Sequence, residues 1–100
     1  MQDRLFSKLS MARRAGMLTY GFDSVREAVQ KGKASLVILA CDLSQKTAKE
    51  TEFFCKDKAR VIKTDKTMSD FQSGIGVLTG IVTVTDEGFT KAVRSILEVE

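Results

Sequence analysis

Leu36-Val37-Ile38-Leu39-Ala40-Cys41 is an apolar run without a single polar interruption. A strand with one face in water alternates apolar and polar side chains, so an unbroken run predicts a strand buried on both faces, with helices packed on each side of its sheet. The rest of the chain must supply those covers. At 100 residues, 43% of them apolar, the chain can build one core that hides somewhat over about 60% of its unfolded surface, and it is too short for two domains. One domain spanning residues 1–100 is expected. There is no Pro, no Ser/Gly-rich linker and no internal repeat, so no hinge or tail interrupts it.

The flanking pattern fits the requirement. Leu5, Leu9, Ala12 and Gly16 recur at helical spacing, Phe6 lies alongside, and Arg13 and Arg14 fall in the last turn, which predicts a helix over about residues 3–15. Gly16 ends it, Met17 to Tyr20 form a short strand, and Gly21 turns the chain into a helix over 23–31. Asp23 or Ser24 is the expected cap there, with Ser24 and Glu27 at capping-box spacing. After the central strand, Asp42 or Ser44 caps a polar helix over 44–57 that buries Ala48, Thr51, Phe54 and Cys55. Val61-Ile62 is a minimal strand. Thr67 and Asp70 start a helix with Met68, Phe71 and Ile75 on one face, broken by Gly74 and Gly76. Thr79 to Val84 is the last strand, and Asp86 caps a final helix carrying Phe89, Ala92, Val93, Ile96 and Leu97. Alternating helices and strands predict a three-layer α/β/α sandwich around a four-stranded, mostly parallel or mixed sheet. Ligands of such sheets meet loops at strand ends and helix starts, here Gly21 to Ser24 and Gly74 to Gly80.

Several chemistries are excluded or weakened. The chain has no His, which removes imidazole-dependent hydrolases and most catalytic zinc sites. Cys41 and Cys55 are isolated, too few for a disulfide framework or a zinc knuckle. Cys41 stands where some α/β enzymes carry a nucleophile, but without His it reads as a buried thiol, and Cys55 as a small core residue. Gly74-Ile75-Gly76 lacks the third Gly of a dinucleotide fingerprint. Asp86 and Glu87 do not face one another on a helix and serve its N-terminus. No cofactor and no enzymatic activity are expected. No apolar stretch reaches the roughly 18 residues of a spanning helix, and Met1 to Arg4 opens no signal peptide; a soluble, cytoplasmic protein without membrane contact is expected. The formal net charge is +3, with nine Lys and Arg against five Asp and Glu in residues 1–50 and seven against eight in residues 51–100. Arg13, Arg14, Arg26, Lys31 and Lys33 can therefore line a basic edge near Gly21 for a phosphate-rich partner.

The stretches Ala12-Arg13-Arg14-Ala15-Gly16, Gly21, Ala28 through Asp42, and Val82 through Phe89 resemble, in order and spacing, the kink-turn RNA-binding ribosomal protein family. This is the superfamily of L7Ae, L30e and Gadd45, and the likeness is strongest to its bacterial YlxQ-type members. The resemblance covers about residues 5–97 and implies an α/β/α sandwich, no enzymatic activity and no cofactor. It also implies recognition of sharply bent RNA, in which the start of the second helix meets paired G and A bases and the loop before the last strand covers an extruded nucleotide. Carried over by position, the family's Gly-x-Asn-Glu-x-x-Lys signature falls on Gly21, Phe22, Asp23, Ser24, Val25, Arg26 and Glu27, where only the Gly is retained. Asp23 removes an amide donor, Ser24 shortens the reach to guanine edges, and Glu27 reverses a charge near phosphates. Arg26 can stand in for the missing Lys. The covering loop falls on Leu78, Thr79, Gly80 and Ile81, with Leu78 placed to pack on a splayed base and Gly80 to allow close backbone approach. The candidate RNA-binding residues are thus Gly21, Phe22, Asp23, Ser24, Arg26, Glu27, Lys33, Leu78, Thr79 and Gly80, in a monomer that binds kink-turn or ribosomal RNA and associates with the ribosome. A protein-interaction module that kept the fold and lost high-affinity RNA binding is the alternative.

Overall fold

A computed structural model describes residues 3–99. Its elements follow in the order α1 (Arg4–Arg14), β1 (Leu18–Tyr20), α2 (Phe22–Gln30), β2 (Leu36–Leu39), α3 (Gln45–Cys55), β3 (Arg60–Lys63), α4 (Met68–Ile75), β4 (Ile81–Val84) and α5 (Glu87–Val99). The strands form one sheet ordered β1-β4-β2-β3, so β2 and β4 are central and all eight of their residues are buried. Leu36, Ile38, Val82 and Val84 point into a core shared with Leu5, Leu9 and Ala12 of α1, Phe71 and Ile75 of α4, and Val93 and Ile96 of α5. Val37, Leu39 and Ile81 point the other way, against Val25, Ala28 and Val29 of α2 and Cys55 of α3. Successive residues of a strand face opposite sides, and both sides here are covered, which is why the central strand shows no polar alternation.

Of the two expected sheet types, the mixed one is found: β2 pairs with β3 in parallel, while β4 is antiparallel to both β2 and β1. As a result the C-terminal ends of β1, β2 and β3 meet the N-terminal end of β4 at one end of the sheet. The loops that follow or precede those ends are therefore neighbours.

Caps set most element boundaries. Ser44 accepts from the Thr47 amide and starts α3, and Asp86 accepts from the Phe89 amide and starts α5. Thr67 and Asp70 form a complete capping box at α4. Asp42, the alternative cap for α3, instead accepts from the Met68 amide and ties the β2–α3 loop to α4. At α1, Asp3 accepts from the Leu5 and Phe6 amides and pairs with Lys66 at 2.8 Å.

Four expectations are corrected. Helix α2 begins at Phe22 with Gly21 as its cap residue, and no side chain caps it. Gly21 sits at φ +91° and its carbonyl accepts the Val25 amide, so the helix starts before Asp23 or Ser24 can serve; Asp23 pairs with Arg26, and Glu27 with Lys31. Gly74 lies inside α4 and does not break it, whereas Gly76 ends the helix in the left-handed conformation at φ +80°. The strand ends at Leu39, because the Ala40 amide turns to Gly80 O and the Cys41 amide to Lys66 O; Cys41 is exposed and only Cys55 is a buried thiol. At the same end of the pair, where Leu39 faces Ile81, β4 starts at Ile81 instead of Thr79, since the Thr79 hydroxyl bridges the amide and carbonyl of Ile81.

Candidate nucleic-acid interface

Gly21 lies beyond the last residue of β1, and its amide donates to Ile81 O at 3.0 Å, the first residue of β4. The Ala40 amide donates to Gly80 O at 2.9 Å from the other side. These bonds bring the start of α2 and the loop before β4 together at one end of the sheet, although more than half the chain lies between them. Gly21, Phe22, Asp23 and Arg26 therefore share this end with Leu78, Thr79 and Gly80.

Each of these residues has a definite role in the geometry. Leu78 is 63% exposed, so its side chain is available to a partner. Thr79 and Gly80 are buried. A Cβ at Gly80 would stand 2.7 Å from Leu43 Cδ1 and 3.0 Å from Met68 Sδ, so the glycine lets the loop sit down on the β2–α3 loop and α4. Phe22 makes an edge contact with Phe54 of α3 at 5.4 Å between ring centroids, and the Arg26 guanidinium lies 5.4 Å from the Phe22 ring centre. Arg26 also stands 3.4 Å from Asp23, an exposed pair that leaves its remaining donors facing water. The start of α2 thus presents a cation stacked on an aromatic ring, beside free backbone N–H groups of the first turn.

Ser24, Glu27 and Lys33 face a second feature, an open groove of about 340 Å³ between α2 and β1 that Thr19, Ala28, Lys31 and Thr85 complete. Lys31 bonds Glu27 at 2.9 Å; that bond, with the charge of Lys31, holds the Glu27 carboxyl below its usual range despite slight desolvation. Lys33 follows the C-terminus of α2, about 14 Å along the helix from Gly21 at 1.5 Å per residue. The expected basic edge around Gly21 is not assembled. Arg26 is at that loop, Lys31 and Lys33 lie at the far end of α2, Arg13 donates to Ile75 O at the end of α4, and Arg14 is the last residue of α1.

Sequence reasoning placed Phe54 on the buried side of its helix but missed its contact with Phe22, and it missed the contacts of α1 with α4. Phe6, Ser10 and Arg13 lie on one stripe of α1 and meet Phe71, Gly74 and Ile75 in turn. A glycine tolerated inside a capped helix was the available signal, since it marks close approach by another element.

The fold is a small α/β/α sandwich that brings the start of α2 and the loop before β4 together at one end of its sheet. Residues 3–69 match the Ribosomal protein L7Ae/L30e/S12e/Gadd45 family, and the chain belongs to that family. The match takes in Gly21 through Lys33 and stops short of Leu78. The chain is 31% identical over 98 residues to the RNA-binding protein YlxQ of Bacillus subtilis, covering 93% of this chain and 94% of that one. It is 28% identical over 90 residues to large ribosomal subunit protein eL30 of Eremothecium gossypii, covering 87% and 86%. Among solved structures, a Bacillus halodurans protein of unknown function superposes with TM-score 0.90 at 27% identity over 97% of this chain and 99% of that one. A 15.5kD RNA binding protein of Giardia lamblia shares the fold, with TM-score 0.78 at 17% identity over 99% and 89%.

Among the described residues, no group of three or more His, Cys, Asp or Glu side chains is placed to hold a metal, and no helix is long and apolar enough to cross a membrane.

Proposed function

We propose that this protein is a non-enzymatic binder of kink-turn or similarly bent structured RNA, acting as a monomer in the cytoplasm and on ribosomal RNA. Supporting this is the bond from the Gly21 amide to Ile81 O, which sets the start of α2 beside the Leu78 loop. A sharply bent RNA offers tilted base edges and a splayed base close together, and this end of the sheet offers hydrogen-bonding groups and an apolar side chain close together. In this reading Asp23, Ser24 and the free N–H groups of α2 meet base edges, while Arg26 neutralises phosphate from its place over Phe22. Leu78 packs on the splayed base, with Thr79 and Gly80 as its backbone support. Ser24, Glu27 and Lys33 line the path of the adjoining backbone along α2, where Lys31 offsets the charge of Glu27. The relatives named as RNA-binding and ribosomal proteins support the same substrate class.

The test is a titration against a kink-turn RNA and an unkinked duplex of equal length, at about 50 and 200 mM salt. Tighter binding to the kinked RNA, weakening steeply with salt, is expected. Equal and weak binding to both would sink the proposal and turn attention to a protein partner, for which Leu78 and the 82%-exposed Phe53 are the most exposed large apolar side chains among the described residues.

A further inference from the structure

We infer that Ser10 and Arg13 of α1 are positioning residues for the Leu78 loop: they hold the end of α4 from which that loop departs, and so act on RNA selectivity without touching RNA. The inference rests on the proposed function above.

The last carbonyls of a helix have no partner within it. In α4, Gln72 O accepts the Gly76 amide, Gly74 O accepts the Ser10 hydroxyl at 2.9 Å, and Ile75 O accepts an Arg13 guanidinium N–H at 3.2 Å. Two of these three bonds come from α1. The same stripe carries Phe6, whose ring crosses Phe71 edge-on at 5.3 Å and occupies the space of the missing Gly74 side chain, where a Cβ would lie 2.4 Å from Phe6 Cγ. Phe6, Ser10 and Arg13 are spaced four and three residues apart, one helical face, so α1 docks along α4 and ends on its final carbonyl.

Gly76 then turns the chain in the left-handed region, under the Arg13 guanidinium, which stands 3.0 Å from where its Cβ would be. Val77 packs on the core, Leu78 projects, and Thr79 and Gly80 are fixed to Ile81 and Ala40. The far end of the loop is anchored by the sheet. Its near end is anchored by Ser10 and Arg13, and these two anchors together decide where Leu78 stands relative to α2.

The experiment compares Ser10→Ala, Arg13→Met and Arg13→Lys with the unaltered protein, on kinked and unkinked RNA across a salt series. Thr67→Ala is the control, because it weakens the opposite end of α4. Hydrogen exchange over residues 77–80 reports the loop directly. The expected result is about a three- to tenfold loss on kinked RNA in Ser10→Ala and Arg13→Met, with no change on the duplex, an unchanged salt slope, and faster exchange over 77–80. Arg13→Lys, which keeps a donor, recovers most of the loss, and Thr67→Ala keeps its selectivity. Two results overturn the inference alone: selectivity retained in both variants, or an Arg13→Met loss that is equal on both RNAs with a salt slope smaller by about one, the mark of a direct phosphate contact. An unaltered protein that does not distinguish the RNAs overturns the functional proposal and this inference with it.

Discussion

Cys41 and Cys55 illustrate how one residue type takes two characters in one fold. Cys55 ends α3 inside the core below α2, and desolvation raises its thiol from an ordinary 9.0 to about 11. Its neutral form is favoured in the folded protein, so its contribution to stability is full below about pH 9 and is lost as pH rises toward 11. Cys55→Ala is expected to flatten the alkaline limb of the urea-unfolding midpoint over that window. An unchanged limb would exclude Cys55 as its source. A thiol reagent at pH 8 is expected to modify Cys41 at once and Cys55 only after denaturation. Burial of Cys55 was legible from its helical spacing with Thr51 and Phe54, but exposure of Cys41 was not. The apolar run continues unbroken to Cys41, whereas the ladder stops at Leu39 because Ala40 and Cys41 bond to Gly80 and Lys66, residues remote in sequence.

Helix α4 shows the same division at the scale of an element. Thr67 and Asp70 announce its start, since a capping box is built within four residues, and the structure forms that box. The interior Gly74 looks locally like a helix breaker. The docked α1 reverses its meaning, because the Phe6 ring stands where a side chain would go. Replacing a helical Gly by Ala normally adds about 1 kcal/mol of stability. Gly74→Ala is instead expected to destabilise by about 1–3 kcal/mol, the range for overpacking a core. Chemical denaturation measures it, and a Phe6→Ala/Gly74→Ala double variant should lose less than the sum of the two singles. Strict additivity would show that Phe6 is not what excludes the side chain.

Over the whole molecule, the candidate site is divided along α2. Arg26 stands at the sheet end with the Leu78 loop, and Lys33 lies past the opposite terminus of the helix. If both meet the same RNA, each neutralises its own phosphate, and separate phosphates contribute independently to the salt dependence. Arg26→Ala and Lys33→Ala are each expected to lower the slope of log affinity against log salt by about one, and the double variant by about two. A slope unchanged in Lys33→Ala would remove the α2–β1 groove from the interface and leave the sheet end as the whole site. The residues of both surfaces were legible as candidates. Their separation was not, because helix length and chain reversal at Gly32 turn a short sequence interval into a distance across the molecule.

By itself the sequence determined the covered central strand, the places of the five helices, most of their caps, the sandwich architecture and the family. These follow from periodicity and from hydrogen bonds that close within a few residues, whose partners are set by spacing in the sequence. Tertiary structure alone decided the mixed order of the sheet, the start of α2 at Phe22, the accommodation of Gly74, the exposure of Cys41 and the meeting of Gly21 with the Leu78 loop. Those features depend on pairs such as Arg13 and Ile75, 62 positions apart. Such pairs meet only when burying apolar faces on both sides of the sheet brings the elements together, and no local pattern encodes which loops then become neighbours.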